Sequence, residues 1–122
     1  MSQKNTPIHI KIISVHVGCM LRLERLKRKF SQHQVGLKSG TDSISVGRIE
    51  RAEYNTAWYK IMLICDVLGV EFEKLFVLKS KEELLCIVDE CYSLETKLTQ
   101  EKKKYYSNLK DKIEEFFLRK SF

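Results

Sequence analysis

Apolar residues in the first two thirds of the chain recur every three or four positions, which is the spacing of amphipathic helices. Val17 and Leu21 predict a first helix that begins near residues 11–15 and ends near Lys29. Residues 8–12 alternate for a few positions as a strand would, but helix is the favoured interpretation there as well. The same spacing predicts four further helices, over about residues 31–38, 42–51, 56–68 and 72–76.

Capping residues mark the ends of these helices. Ser31 and Asp42 each precede a helix, where a short side-chain oxygen accepts hydrogen bonds from unpaired backbone N–H groups. Gly40 lies between them and supplies the backbone freedom of a tight helix-to-helix turn. Asn55-Thr56 is the predicted cap of the fourth helix, which is expected to end at a left-handed Gly69. The segment from Ser31 onward therefore predicts two short helices joined by a turn, a geometry that lets the second helix enter a DNA groove.

The chain from residue 79 to residue 122 contains no proline or glycine and has a different pattern. An apolar position recurs every seven residues with a second series beside it, which predicts a long helix with a coiled-coil seam. The seam is predicted to join two subunits through Leu84, Ile87, Cys91, Leu94, Leu98 and Tyr105. A bend at residues 100–104 would instead give two shorter helices folded as a hairpin. In both cases the apolar stripe must be buried against another surface.

Charge is distributed unevenly along the chain, whose net charge is +6. Residues 17–76 carry ten basic and seven acidic side chains, whereas residues 77–122 carry ten and nine. The positive excess in the first two thirds favours a surface that faces phosphate groups. We therefore divide the chain into an N-terminal arm, a DNA-binding domain and a helical dimerisation or interaction region, over residues 1–12, 13–78 and 79–122.

Residues that would carry catalysis or hold a metal form no recognisable constellation. Cys19 and Cys65 occupy apolar positions, as small buried side chains do, while Cys86 and Cys91 point in different directions on their helix. The sequence has no glycine-rich phosphate loop, no paired catalytic carboxylates and no nucleophile beside a base, so we expect no enzyme activity, cofactor or metal. It also has no visible signal peptide or membrane-length apolar run, which predicts a cytoplasmic, nucleoid-associated protein that does not bind membranes.

Short motifs occur at regular places along these helices. Val17-Gly18 opens the first helix, Phe30-Ser31-Gln32 opens the second, and Arg48-Ile49-Glu50 lies in the third. The series continues with Asn55, Leu68-Gly69-Val70 and Leu75-Phe76. With these motifs, residues 17–76 resemble the Cro/phage-repressor (XRE-type) helix-turn-helix family. The resemblance implies an all-α protein, with a compact five-helix repressor-like domain followed by a long C-terminal amphipathic helix or helical hairpin.

The resemblance also implies roles for individual residues. On the third helix, Ser43, Ile44 and Arg48 would reach base edges, with Ser45 nearby. The DNA backbone would be contacted by Gln32, Arg51, Tyr54, Asn55 and Lys60. Arg48 can donate two hydrogen bonds to guanine, and Ile44 can contact a thymine methyl group. Arg25 and Glu50 match the positions of a salt bridge that ties the first helix to the third.

Three aromatic side chains of the same region, Trp58, Phe72 and Phe76, are expected in the core. The chain departs from the family pattern at two positions. Gly36 stands where alanine is usual, at a cost of up to about 1 kcal/mol in helix propensity. Ala52 stands where glycine is common, so the turn after the third helix is expected to differ.

The leading hypothesis is a bacterial or phage transcriptional regulator that binds double-stranded DNA as a homodimer. The third helix of each subunit would enter the major groove of a palindromic operator, at half-sites about 34 Å apart. The alternative is a protein-interaction module, such as an antitoxin or adaptor, that binds a partner through the C-terminal helix and DNA only secondarily. The apolar end of the chain motivates this alternative, with Phe116, Phe117, Leu118 and Phe122. The operator, the target genes, the sign of regulation and the packing of the C-terminal helix stay open at this stage.

Overall fold

The computed structural model describes residues 7–53 and 56–120, and this part of the chain contains helices and no β-strand. In order, the helices are α1 Ile8–Lys27, α2 Gln32–Ser39, α3 Ser43–Glu50, α4 Trp58–Leu68, a 3-10 helix Phe72–Phe76, α5 Lys81–Leu94 and α6 Gln100–Lys120. The predicted all-α class is confirmed, and the bounds of the second, third and short fifth helices agree with the prediction within one residue. No helix in the described ranges has both the length and the hydropathy needed to cross a membrane.

The first helix begins earlier than predicted. Pro7 has the extended backbone of a residue that precedes a helix, and α1 starts directly after it at Ile8. Ile12 is buried, so packing stabilises these first turns as helix and overrides the short strand-like alternation. The predicted arm over residues 1–12 is therefore corrected for residues 8–12, while residues 1–6 lie outside the described part of the chain.

Both faces of α1 are buried, each against a different set of helices. One face packs on α2, α3, α4 and the 3-10 helix, in what we call the N-terminal core: Val17, Leu21, Val35, Val46, Ile49, Ile64, Cys65, Leu68 and Leu75. The other face packs on α5 and α6, in what we call the hairpin core: Ile12, Val15, Cys19, Leu23, Leu26, Leu84, Ile87, Val88, Cys91, Tyr106, Leu109, Ile113 and Phe116. Since α1 contributes to both cores, the C-terminal third is packed into the same body as the rest.

The two short helices α2 and α3 are held by the caps that the sequence predicts. The Ser31 hydroxyl accepts a hydrogen bond from the backbone N–H of Gln34 at 3.0 Å, and the side-chain oxygen of Gln34 accepts one from the Ser31 N–H. Asp42 caps α3 by accepting from the Ser45 N–H at 2.7 Å. Gly40 ends α2 with a φ of 73°, a left-handed conformation that glycine adopts without steric cost. These local interactions fix the angle between the two helices.

The C-terminal third folds as a hairpin, which was one of the two predicted alternatives. Its break lies at residues 95–99 instead of 100–104, because Thr99 caps α6 and lets the helix restart at Gln100. The prediction that this seam joins two subunits is corrected by the packing within the chain. Leu84, Ile87 and Cys91 lie in the hairpin core of their own chain, where α1 covers the stripe, so they cannot also face a partner.

The other three seam residues do not form a seam either. Tyr105 packs on Arg22 within the chain, and its hydroxyl lies 3.5 Å from the Glu50 carbonyl oxygen. Leu94 and Leu98 lie at the hairpin end, 36% and 39% exposed. Leu94 is the last residue of α5 and Leu98 lies in the break between α5 and α6, so the two offer only a small contact at the end of the hairpin.

The fourth helix differs from the prediction at its start. Its capping residue is Ala57, which makes no side-chain cap, and Thr56 does not take that role; Asn55 lies outside the described residues. Trp58 was expected in the core but is 64% exposed, and Phe76 is 45% exposed, whereas Phe72 packs against the N-terminal core. The inward face of α4 is provided by smaller side chains, Ile64, Cys65 and Leu68. Helix α4 therefore has an apolar outward face as well.

Candidate nucleic-acid interface

The outward face of α3 exposes two of the side chains predicted to contact bases. Ile44 is 64% exposed, and the Arg48 side chain is 60% exposed one helical turn further on. Ser43 lies at the first position of the helix and is partly exposed. The opposite face of α3 is anchored in the N-terminal core by Val46 and Ile49. The helix therefore presents an arginine and an apolar side chain on a firmly seated support.

Ser45 and Lys60 are placed differently from the prediction. Ser45 is buried, and its hydroxyl donates to the Asp42 carboxylate at 3.1 Å. Lys60 Nζ donates to the same hydroxyl at 3.1 Å, which ties α4 to the start of α3. The Ser45 N–H lowers the pKa of the Asp42 carboxyl below its usual range, so the cap is fully charged at neutral pH. The predicted contact of Ser45 with bases is therefore corrected. Its side chain is buried between Asp42 and Lys60, where it helps to hold α3 in place.

The basic residues at the end of α3 share one exposed carboxylate. Arg51 Nη2 lies 3.1 Å from Glu53, and Arg48 Nε lies 3.9 Å from the same carboxylate. Ion pairs on an exposed surface contribute about 0–1 kcal/mol, so both guanidinium groups can exchange this partner for a phosphate or a base. Tyr54 and Asn55, the other residues expected near the DNA backbone, lie outside the described residues.

A buried charge network fixes the orientation of α3 relative to α1 and α2. Arg25 donates from Nε to Glu50 Oε2 at 2.6 Å and from Nη2 to Oε1 at 3.0 Å, so the pair implied by the sequence is present as a two-point contact. Gln32 also donates to Glu50, at 3.1 Å. The Gln32 side chain was predicted to contact the DNA backbone, but in the structure it is part of this buried network and links the start of α2 to Glu50. Because Glu50 is buried, its carboxylate depends on these donors for compensation, and loss of Arg25 would remove its two-point contact.

A second arginine connects the same carboxylate to the C-terminal hairpin. Arg22 Nε lies 3.2 Å from Glu50 Oε1, and its guanidinium group stacks 4.5 Å from the Tyr105 ring centre. The sequence interpretation did not single out Arg22. Arg22 lies three residues before Arg25, and residues at that spacing share a helix face. The sequence could therefore have predicted that Arg22 lies near Glu50 as well. The tyrosine partner lies more than eighty residues away, and no local pattern identifies it.

A cleft of about 1320 Å³ lies beside this network, and we call it the junction cleft. One wall is formed by the end of α1 and the beginning of α2, and the other by the α5–α6 junction. Gln32, Ser43 and Arg51 line the cleft from the α2–α3 side, whereas Lys102 and Tyr105 line it from α6. Three residues of the predicted DNA surface therefore face the C-terminal hairpin across an open space.

The remaining reactive side chains offer no alternative site. Burial raises the pKa of Cys19 and of Cys91 to about 12 and that of Cys65 to about 11, so these thiols stay protonated. The predicted burial of Cys19 and Cys65 is confirmed. Cys86 is exposed and points away from Cys91. Over the described ranges, no three histidine, cysteine or acidic side chains lie close enough together to hold a metal ion.

Comparison with known proteins adds no family assignment. No family model matches the chain, and no curated protein or solved structure is significantly similar to it.

Proposed function

We propose that the protein is a sequence-specific DNA-binding transcriptional regulator that places α3 in the major groove. The observation that carries this proposal is the outward face of α3, where Arg48 and Ile44 are exposed while the buried network at Glu50 holds the helix. An exposed arginine on a short, rigid helix can donate two hydrogen bonds to guanine, and an exposed isoleucine can contact a thymine methyl group. The motif resemblance of residues 17–76 to repressor-type helix-turn-helix domains agrees with this assignment.

Phosphate contacts would supply affinity without sequence preference. Arg51 lies at the end of α3, and its exposed pairing with Glu53 is weak enough to be exchanged for a phosphate. The +6 net charge favours association with a polyanion. We therefore expect binding to weaken steeply as salt rises, in proportion to the number of phosphate contacts.

We assign homodimer formation to the outward face of α4, since α1 already covers the predicted C-terminal seam. Trp58, Tyr59, Met62 and Leu63 expose apolar side chains there, and the exposed Asp66 follows one turn later on the same face. An apolar patch of this kind suits a twofold contact with its own copy, in which the same side chains meet across the axis and the Asp66 carboxylate lies at the rim. Helix α4 adjoins α3 through the Lys60–Ser45 bond, so the two α3 helices of such a dimer would lie near each other, as a palindromic operator requires.

The test uses duplexes selected from a random pool by the wild-type protein, with scrambled duplexes for comparison. Arg48→Ala should cost about 1–3 kcal/mol on the selected duplex and relax the preference at one base pair. Arg119→Ala, which removes an exposed arginine from the far end of α6, should leave binding unchanged. The proposal would be contradicted if Arg48→Ala bound the selected duplex as tightly as wild type. It would also be contradicted if the wild-type protein enriched no sequence from the pool.

The alternative function, a protein-interaction module that acts through the C-terminal helix, loses most of its motivation. Phe116 is buried in the hairpin core and Phe117 packs against it. Leu118 is exposed, and Phe122 lies outside the described residues. Helix α4 exposes four large apolar side chains, and we assign them to self-association. A second protein that co-purifies in a fixed ratio and competes with the homodimer would favour the alternative.

A further inference from the structure

The junction cleft separates the α2–α3 surface from the end of the C-terminal hairpin. Its inner wall includes Lys29, Gln32 and Arg51, and its outer wall includes Glu95 and Lys102. Helix α1 continues into the inner wall and is packed on the hairpin along its length, so the two walls are held in a fixed relation. The volume of about 1320 Å³ is open to solvent and large enough for a segment of sugar-phosphate backbone.

Positive charge dominates the lining of the cleft. Six lysine and arginine side chains line it, against two carboxylates, Glu95 and Glu101. Glu95 forms an ion pair with Lys102 at 3.2 Å and accepts a hydrogen bond from the Tyr106 hydroxyl, so Lys102 and Glu95 compensate each other's charge. The ammonium group of Lys102 is on a side chain that is 42% exposed and has two further N–H donors, which can bind a phosphate oxygen beside Glu95. Of the other cations, Arg22 and Arg25 share the single carboxylate of Glu50, which leaves one excess positive charge at the base of the cleft.

Lys29 is the cation of this set with no ion pair among the described residues. It lies in the turn between α1 and α2, is exposed, and has a φ of 58°. His33 is a further exposed nitrogen donor on the same wall. A cleft with an unpaired lysine, an excess arginine charge and neighbouring amide and hydroxyl donors matches the chemistry of a phosphodiester chain.

The cleft is also continuous with the surface that is proposed to contact DNA. Gln32, Ser43 and Arg51 belong to both. A strand whose phosphates follow the start of α2 would therefore pass between α2 and the α5–α6 junction. We propose that the C-terminal hairpin is a second DNA-contacting element, whose junction holds the phosphate backbone flanking the bases under α3, with Lys102 as its contact residue and Lys29 opposite. This inference rests on the proposed DNA binding and extends it to a part of the chain outside the helix-turn-helix segment.

The experiment compares three single variants on the selected duplex over a range of salt concentrations. Lys102→Gln and Lys29→Asn each remove one cation from the cleft, and asparagine tolerates the positive φ of position 29. Lys103→Gln is the matched control, because Lys103 is exposed on the same helix turn but does not line the cleft. Each cleft variant should make the slope of log affinity against log salt shallower by about 0.9, the value for one phosphate contact, and Lys103→Gln should not change it.

Duplex length provides a second measurement. A duplex shortened by the base pairs flanking the selected core should bind wild type with a shallower slope. Each cleft variant should show a smaller difference between long and short duplexes than wild type, because only one of its two flanking contacts remains to be lost. Equal slopes for Lys102→Gln, Lys103→Gln and wild type would overturn the hairpin contact while the proposed function stands. Tighter binding by Lys102→Gln would also overturn it, since the junction would then hinder DNA. A wild-type protein that binds no duplex would overturn both proposals.

Discussion

The close approach of α2 to the start of α3 depends on the absence of a side chain at Gly36. A Cβ atom built there would lie 2.6 Å from the Asp42 carbonyl carbon and 2.8 Å from the Ser43 nitrogen, both backbone atoms that cannot move without shifting α3. Helix propensity alone favours alanine over glycine by about 1 kcal/mol. Packing and propensity therefore oppose each other at this residue, and the family departure noted in the sequence is explained by packing.

Gly36→Ala should consequently lower the free energy of unfolding by about 1–3 kcal/mol, the range for forcing extra volume into a packed site. Gly47→Ala is the matched control, because the nearest neighbours of its Cβ would be side-chain ends and no backbone atom. These are the Arg51 guanidinium group at 2.8 Å, which can swing away, and Gln32 Oε1 at 3.3 Å, which needs to move by only a few tenths of an ångström. That variant should gain up to about 1 kcal/mol from helix propensity. Urea unfolding of both variants checks the opposite signs, and stabilisation by Gly36→Ala would contradict the steric argument.

At the scale of residues, sequence analysis succeeded where the interaction is local. The caps at Ser31 and Asp42 were predictable because each acts within three residues of itself. The Arg25–Glu50 pair came from the family resemblance, and no local pattern predicts it. The inward orientation of Ser45 and the exposure of Trp58 could not be predicted, since both depend on how α4 docks against α3.

At the scale of helices, an apolar stripe specifies that a surface is buried but not what buries it. The seven-residue recurrence in α5 and α6 has the same appearance in a two-chain coiled coil and in a hairpin packed on α1. The information that distinguished them lay in α1, which carries apolar residues on two faces and therefore needs two partners. The exposed apolar side chains of α4 are not covered within the described chain, and they are the surface that we propose for contact between molecules.

If the proposed dimer forms through α4, Leu63→Glu should weaken it, because the substitution buries an unpaired carboxylate within the proposed contact. Leu118→Glu adds the same charge to an exposed leucine of α6 and should leave the mass unchanged. Light-scattering mass over a range of concentrations measures the effect, with an expected weakening on the order of 10- to 100-fold in the dimer dissociation constant. A dimer that survives Leu63→Glu would place the self-contact elsewhere.

At the scale of the whole molecule, α1 contributes to both cores, and His16 is a buried titratable side chain near its centre. His16 is 1% exposed, and neither ring nitrogen has a well-formed hydrogen bond within the described chain. Burial lowers the pKa of His16, opposed in part by the backbone of Leu75, and Lys79 lowers it further. The folded protein therefore holds this imidazole neutral, while the unfolded chain protonates it near its ordinary pKa of about 6.5.

The contribution of neutral His16 to the free energy of unfolding should consequently be fully present above about pH 6.5. The free energy of unfolding should fall as the pH drops below that value towards the lowered pKa. His16→Leu removes the titration and should flatten the curve of unfolding free energy between pH 7 and pH 5, by about 1.4 kcal/mol for each unit of pKa difference. The exposed His33→Gln is the control and should keep the wild-type slope. A slope that is unchanged in His16→Leu would show that other groups dominate acid sensitivity.

The double burial of α1 also sets the order in which the chain can mature during synthesis. Ile12 emerges from the ribosome about a hundred residues before Ile113, its companion in the hairpin core. During that interval α2, α3 and α4 can dock on one side of α1 while the apolar stripe from Ile12 to Leu26 is still uncovered. The nascent N-terminal half therefore exposes this apolar stripe to aggregation until α5 and α6 have been synthesised and pack on it. Holding-type chaperones that act on nascent chains should bind this protein in the narrow window before its last helix is made.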